Sequence, residues 1–215
     1  MRKLFLLLPL LGGTAFSQDM RGMKMDPEMG MGDRIFAHAM LDQFEGRLGD
    51  QFRWDGQGWV GGDYDKLWIK SEGLTDRGRL EDSQQELLYD RAITTFFDIQ
   101  AGLRADFDSR RSRQWAAIGI QGLAPYFLDV EATAYLGDGG QTAARFKASY
   151  DLLLTQRLIL EPEAELDLYS RGRPDLDAGL RLRYEISRKF APYAGFSYRE
   201  APADTRFVVG IRAWY

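Results

Sequence analysis

From residue 35 to the C-terminus the chain repeats one pattern: an apolar residue alternates with a polar or charged one over ten or more positions. Within 96–107, Phe97, Ile99, Ala101, Leu103, Ala105 and Phe107 share one parity, and Asp98, Gln100, Gly102, Arg104 and Asp106 share the other. Successive side chains of a strand point to opposite faces, so this segment is a strand with one apolar and one charged face. About 9–11 tilted residues cross a bilayer core, and this segment is long enough to do so. The pattern recurs. Leu128, Val130, Ala132 and Ala134 oppose Asp129, Glu131 and Thr133, while Ala144, Phe146, Ala148 and Tyr150 oppose Arg145, Lys147, Ser149 and Asp151. Leu158, Leu160, Ala164, Leu166 and Leu168 oppose Glu161, Glu163, Glu165 and Asp167; Leu176, Ala178, Leu180, Leu182, Tyr184 and Ile186 oppose Asp177, Gly179, Arg181, Arg183 and Glu185. The polar face is too charged for a sandwich core and too regular for loops.

The last residues, FVVGIRAWY, put Phe207, Val209, Ile211, Ala213 and Tyr215 on one parity and end on an aromatic. A soluble sandwich could use such a strand by itself, but repetition and export select a barrel. Residues 1–17 begin with Arg2 and Lys3, run through an apolar stretch and close on Ala15-Phe16-Ser17, the pattern of a secretory signal peptide. The expected fold is all-β: an antiparallel up-and-down transmembrane β-barrel of about twelve strands over residues 35–215, with a flexible tail over 18–34. Strands are expected near 94–107, 126–136 and 175–187, among others. An even count puts both termini on the periplasmic side of an outer membrane. Trp59, Tyr64, Trp68, Trp115, Tyr126, Tyr193, Trp214 and Tyr215 sit toward segment ends, where interfacial girdles are expected.

Composition narrows the chemistry. The chain has no cysteine, so disulfides, thiolate metal sites and iron–sulfur clusters are excluded. Loss of Arg2 and Lys3 with the leader takes the formal net charge from -4 to about -6, which argues against a nucleic-acid partner. The tail carries Met20, Met23, Met25, Met29 and Met31 among Gly, Asp and Pro, where apolar packing does not explain them. Soft thioether sulfur suits Cu(I), and the close spacings Met23/Met25 and Met29/Met31 let two sulfurs reach one ion. Composition alone leaves that reading level with a leader whose methionines are incidental.

His38 is the only histidine. Ile35, Ala37, Ala39 and Leu41 form the apolar face around it, so His38, Met40 and Asp42 point into the lumen. Imidazole, thioether and carboxylate at alternate positions could hold copper at the barrel mouth. A lone histidine is more often structural, bonded to a lumen carboxylate. The interspersed lumen charges favour a salt-bridged interior over an open conduit. Catalysis has little support, because His38 is the single candidate base and no serine context accompanies it.

FAHAMLDQFEGR (36–47), QGWVGGDYDKLWIKSEG (57–73), LLYDRAITTFFDIQAGLRAD (87–106) and WAAIGIQGLAPYFLDVEATAYLG (115–137) resemble the bacterial copper resistance protein B family. The resemblance runs from about residue 36 to 215. It implies a non-enzymatic outer-membrane barrel that binds periplasmic copper and works beside periplasmic copper-binding proteins and a multicopper oxidase. It also raises the copper reading of the tail methionines and of His38, Met40 and Asp42. Family members often carry a longer segment rich in both Met and His; this tail has methionine alone, which shifts the expected cargo from Cu(II) toward a few Cu(I) ions. The alternatives are an outer-membrane enzyme acting on lipid or peptide through His38, and a purely structural barrel.

Overall fold

The computed structural model describes residues 35–47, 50–108, 112–200 and 203–215; the leader and the five tail methionines lie outside the described residues. Thirteen strands follow one another: β1 (Phe36–Arg47), β2 (Gln51–Gly61), β3 (Asp65–Asp76), β4 (Arg79–Ala92), β5 (Phe97–Asp108), β6 (Ser112–Ala124), β7 (Leu128–Gly137), β8 (Gln141–Tyr150), β9 (Leu152–Leu153), β10 (Leu158–Tyr169), β11 (Asp175–Tyr184), β12 (Phe190–Glu200) and β13 (Ala203–Trp214). Each pairs antiparallel with the next, except that β8 and β9 both pair with β10, and β13 pairs back onto β1, with Met40 opposite Trp214 and Glu45 opposite Gly210. The sheet therefore closes.

Twelve of the strands are barrel staves. β9 continues β8, because β8 and β9 pair with β10 in one register that breaks only where Tyr150 and Asp151 would meet Pro162 and Glu161. Proline has no N–H to donate, so the ladder opens there and resumes at Leu152. The β11–β12 ladder stops in the same way at Arg183 and Tyr193, one residue short of Pro192.

Burial is inverted relative to a soluble protein. Leu103 is 66% exposed and Val209 55%, while Glu45 and Asp90 are 0% exposed. Large apolar side chains form the outer wall, and charged ones fill the lumen, as the alternation requires of a barrel in lipid. The expected strand at 94–107 begins at Phe97 because Thr94 Oγ1 accepts hydrogen bonds from the N–H groups of Phe96 and Phe97 and holds a turn. The strand expected at 126–136 starts at Leu128, after Tyr126 and Phe127, which take positive φ angles of 67° and 62°, and the strand expected at 175–187 ends at Tyr184, where Pro192 stops its ladder.

The girdle expectation is corrected for five aromatics. Trp115 and Tyr193 are buried, Trp68 lines the lumen cavity, Trp59 packs beside Trp68 and His38, and Trp214 lies opposite the lumen-lining Met40. All five hold lumen parity. Trp115 Nε1 donates to Asp106 Oδ2 at 2.8 Å and Tyr193 Oη to Glu45 Oε2 at 3.2 Å, so their polar ends are satisfied inside. Tyr64, Tyr126 and Tyr215 are exposed at the rim.

The interior is held by ion pairs that cross the lumen. Arg145 on β8 reaches Glu72 on β3 at 2.5 Å, Glu165 at 3.1 Å and Asp167 at 2.9 Å on β10, and donates to Gln84 Oε1 at 2.8 Å. Arg145→Ala leaves buried Glu165 and half-buried Glu72 and Asp167 without their cation and is expected to cost about 3 kcal/mol. Urea unfolding in detergent micelles, followed by tryptophan fluorescence, measures it; a loss below about 1 kcal/mol would show that the hub behaves as a surface ion pair does.

Candidate functional site

The lumen is divided. A cavity of about 640 Å³ starts among Asp63, Tyr64, Thr94, Thr95 and Phe96, in the turns of the rim where Phe36 and Trp214 also lie. It runs inward to Glu72, Arg145, Glu165 and Arg181, and no lining residue comes from the opposite rim. Beyond it the barrel is packed. Arg104 pairs with Asp106 at 2.6 Å and sits 4.6 Å from the Tyr135 ring centre, and Tyr135 Oη donates to Glu86 Oε1 at 2.8 Å.

The floor of this well is a layer of ion pairs at mid-height. Lys147 on β8 bonds Asp55 on β2 at 3.0 Å and Glu163 at 3.3 Å. β2 and β8 stand on opposite sides of the closed ring, so this contact spans the lumen. Arg181 joins Glu163 at 2.6 Å to Glu45 at 3.3 Å, Gln43 Nε2 donates to Glu163 Oε2 at 2.8 Å, and Arg53 bonds Asp177 at 2.9 Å. Lys147–Glu163 and Arg181–Glu163 join neighbouring strands, whereas Lys147–Asp55, Arg181–Glu45, Gln43–Glu163 and Arg53–Asp177 join strands that do not pair, so these last four tie distant walls together.

The cavity lining, floor included, is net acidic, with eleven carboxylates against six Lys and Arg side chains. Most of these carboxylates already hold a cation. Lys70 bonds Glu131 at 2.8 Å, and Lys66 bonds Asp98 at 3.1 Å while lying 5.6 Å from the Trp59 ring centre. The well therefore favours cations mildly, without presenting a ring of free charge.

Of the candidate residues inside the described chain, the structure brings two together. Met40 and Asp42 both line the cavity, and Arg212 touches both. His38 stands nearer the rim, with its ring 6.2 Å from that of Trp59 at a 41° tilt. Among the described residues no carboxylate or serine is hydrogen-bonded to it. Nor, among them, do three or more His, Asp or Glu side chains form a group that could hold a metal ion. Gln57 and Arg212, the direct partners of Met40 and Asp42, and Glu161, which holds Arg212 from the other side, carry no isolated motif. One signal was present: Leu41 and Phe44 are both apolar at an odd spacing, which breaks the alternation and marks a bulge.

Comparison with known proteins agrees with this architecture. A family profile described as copper resistance protein B precursor (CopB) matches residues 35–215. A copper resistance protein B homolog of Pseudomonas syringae pv. tomato is 43% identical over 203 residues, covering 84% of this chain and 69% of that protein. Copper resistance protein B of Escherichia coli is 41% identical, covering 82% of this chain and 69% of its own length. Both are named as copper resistance proteins and not as enzymes. A solved NanC porin superposes with a TM-score of 0.56 at 10% identity over 83% of this chain and 99% of the porin, a likeness of fold alone.

Because the chain has no native cysteine, single cysteines test the well directly. Ser149→Cys, on the cavity wall, is expected to react with a water-soluble maleimide in the folded, detergent-solubilised protein, and Thr133→Cys, at a site 3% exposed, is not. Equal labelling at both positions would rule out a bounded cavity.

Proposed function

The chain belongs to the copper resistance protein B family, and from that premise we propose that it is a non-enzymatic outer-membrane barrel that binds periplasmic copper and passes it to or from its lumen. The observation that carries this is the placement of Met40 and Asp42, side by side in an acidic well that opens at the rim where β1 begins. In sequence, Met20, Met23, Met25, Met29 and Met31 come shortly before that strand. Thioethers in the tail capture Cu(I), and Met40 with Asp42 forms the next binding step, with His38 nearer the mouth. Even strand number and export through a leader support a periplasmic position for the tail and for this rim. Soluble periplasmic copper-binding proteins and a multicopper oxidase are the partners for exchange.

The ion-pair floor makes binding the primary event. A cation in the well has no open path past Lys147, Arg145 and Arg181, so transit requires that layer to rearrange. An enzymatic role through His38 has no comparable support, since the described residues give it an aromatic neighbour in place of a catalytic partner.

Anaerobic Cu(I) titration of the full chain tests the assignment. Replacing the five tail methionines with leucine is expected to remove most of the bound copper, and adding Met40→Leu with Asp42→Asn removes the remainder. Unchanged stoichiometry after all seven substitutions would overturn the ligand assignment. Loss of the protein without any change in copper tolerance, joined to absence of bound copper, would leave a purely structural barrel.

A further inference from the structure

β1 carries a bulge where it faces both neighbours. Its pairing with β2 shifts between Leu41 and Gln43, and its pairing with β13 shifts between Leu41 and Phe44. A bulge inserts an extra residue and re-aims side chains. Here Asp42 and Gln43 both line the lumen cavity, while Phe44 returns to the exposed outer wall. On β13, the residue between the partners of Phe44 and Leu41 is Arg212.

The Arg212 guanidinium meets three acceptors. Its Nη2 lies 3.0 Å from Asp42 Oδ1 and 3.6 Å from Met40 Sδ, and its Nη1 lies 3.1 Å from Glu161 Oε1 on β10. Those acceptors are themselves fixed. Gln57 Nε2 donates to Asp42 Oδ2 at 2.7 Å, and Arg183 Nη1 donates to Glu161 Oε2 at 2.6 Å. One thioether and two carboxylates thus converge on a single positive group, at the seam where the barrel closes.

Resting on the proposed role of Met40 and Asp42 as copper ligands, we infer that Arg212 is a resident cation in the copper cradle, which the metal must displace, and that this competition sets the cradle's selectivity. Guanidinium satisfies carboxylates well, through forked, charge-assisted hydrogen bonds, but gains little from a thioether, a weak acceptor. A hard cation such as Ca²⁺ gains only the carboxylates, which Arg212 already holds. Cu(I) gains the Met40 sulfur as well, a bond that guanidinium cannot match. Arg212 therefore discriminates against hard cations while leaving a route for a soft one. Asp129 lines the same cavity, so the well holds a further carboxylate for the displaced guanidinium.

The test uses the full chain with its five tail methionines replaced by leucine, so that only barrel sites are titrated. Cu(I) is added anaerobically in competition with a chromophoric chelator, and heat-modifiable gel mobility verifies folding. Arg212→Gln is expected to tighten Cu(I) binding by about tenfold, because the competent state no longer has to be vacated. It is also expected to let Ca²⁺ compete, which it does not do in the parent. Arg212→Lys, which keeps the charge but cannot fork between two carboxylates, gives a smaller tightening of about threefold and decides the matter if the Gln variant does not fold. Adding Met40→Leu abolishes the gain. Unchanged affinity in the folded Arg212 variants, with binding still lost on Met40→Leu, overturns the resident-cation role and leaves the ligand assignment standing. Affinity indifferent to Met40 and Asp42 overturns that assignment, and the inference with it.

Discussion

The pairing of β13 with β1 is the contact on which everything else depends. Hydrocarbon offers no water to an unpaired N–H or C=O, so a sheet that enters lipid has to close on itself. Closure leaves no edge, and it gives every stave one face toward lipid and one toward the lumen. Leu103, Ile118, Leu136 and Phe146 are exposed for that reason, and Gln100, Arg104, Thr133 and Arg145 are buried for the same one. The tolerances at the prolines follow from it too: the ladder opens at Pro162 and is re-formed through β9, so the wall stays continuous across the missing donor.

Twelve staves enclose more space than small side chains fill, and this barrel fills the excess with charge. Replacing buried ion pairs by apolar packing is often neutral or stabilising, so Arg145 and its carboxylates are weak evidence for stability as such. Their stronger effect is on register. A slip of one residue along β10 would turn Glu161, Glu163 and Glu165 to lipid and Leu160, Ala164 and Leu166 to the lumen, against every partner now in reach. Bonds from Lys147 to Asp55 and from Arg53 to Asp177 fix strands far apart around the ring, which neighbour pairing alone does not do.

The barrel was legible in the sequence because alternation is a local property: each segment declares its two faces without knowledge of its partners. Strand number and most strand limits followed from turn residues, and the misplacements at 94–96 and 126–127 came from side-chain hydrogen bonds and positive φ within otherwise apolar runs. Lumen parity of Met40 and Asp42 was legible in the same way. The fate of Trp59, Trp68, Trp115, Tyr193 and Trp214 was not, because proximity to a strand end suggested a girdle while parity turned them inward. Nor was Arg212, since its contacts need the last strand beside the first, with a bulge between them, and both are consequences of closure.

The arrangement bears on how a barrel can prefer one cation among many. Net negative charge along the well draws all cations alike, and most of that charge is already neutralised by Lys66, Lys70, Lys147 and the arginines. Attraction by charge is therefore too weak and too general to select copper from the far more abundant hard ions. On the proposed role of the site, discrimination has to come from a ligand that hard ions cannot use. Met40 supplies a thioether beside oxygen ligands that a protein cation, Arg212, already occupies. Two weak devices, a soft atom and an internal competitor, then act in series, and the preference they produce exceeds what either the acidic wall or the sulfur provides alone.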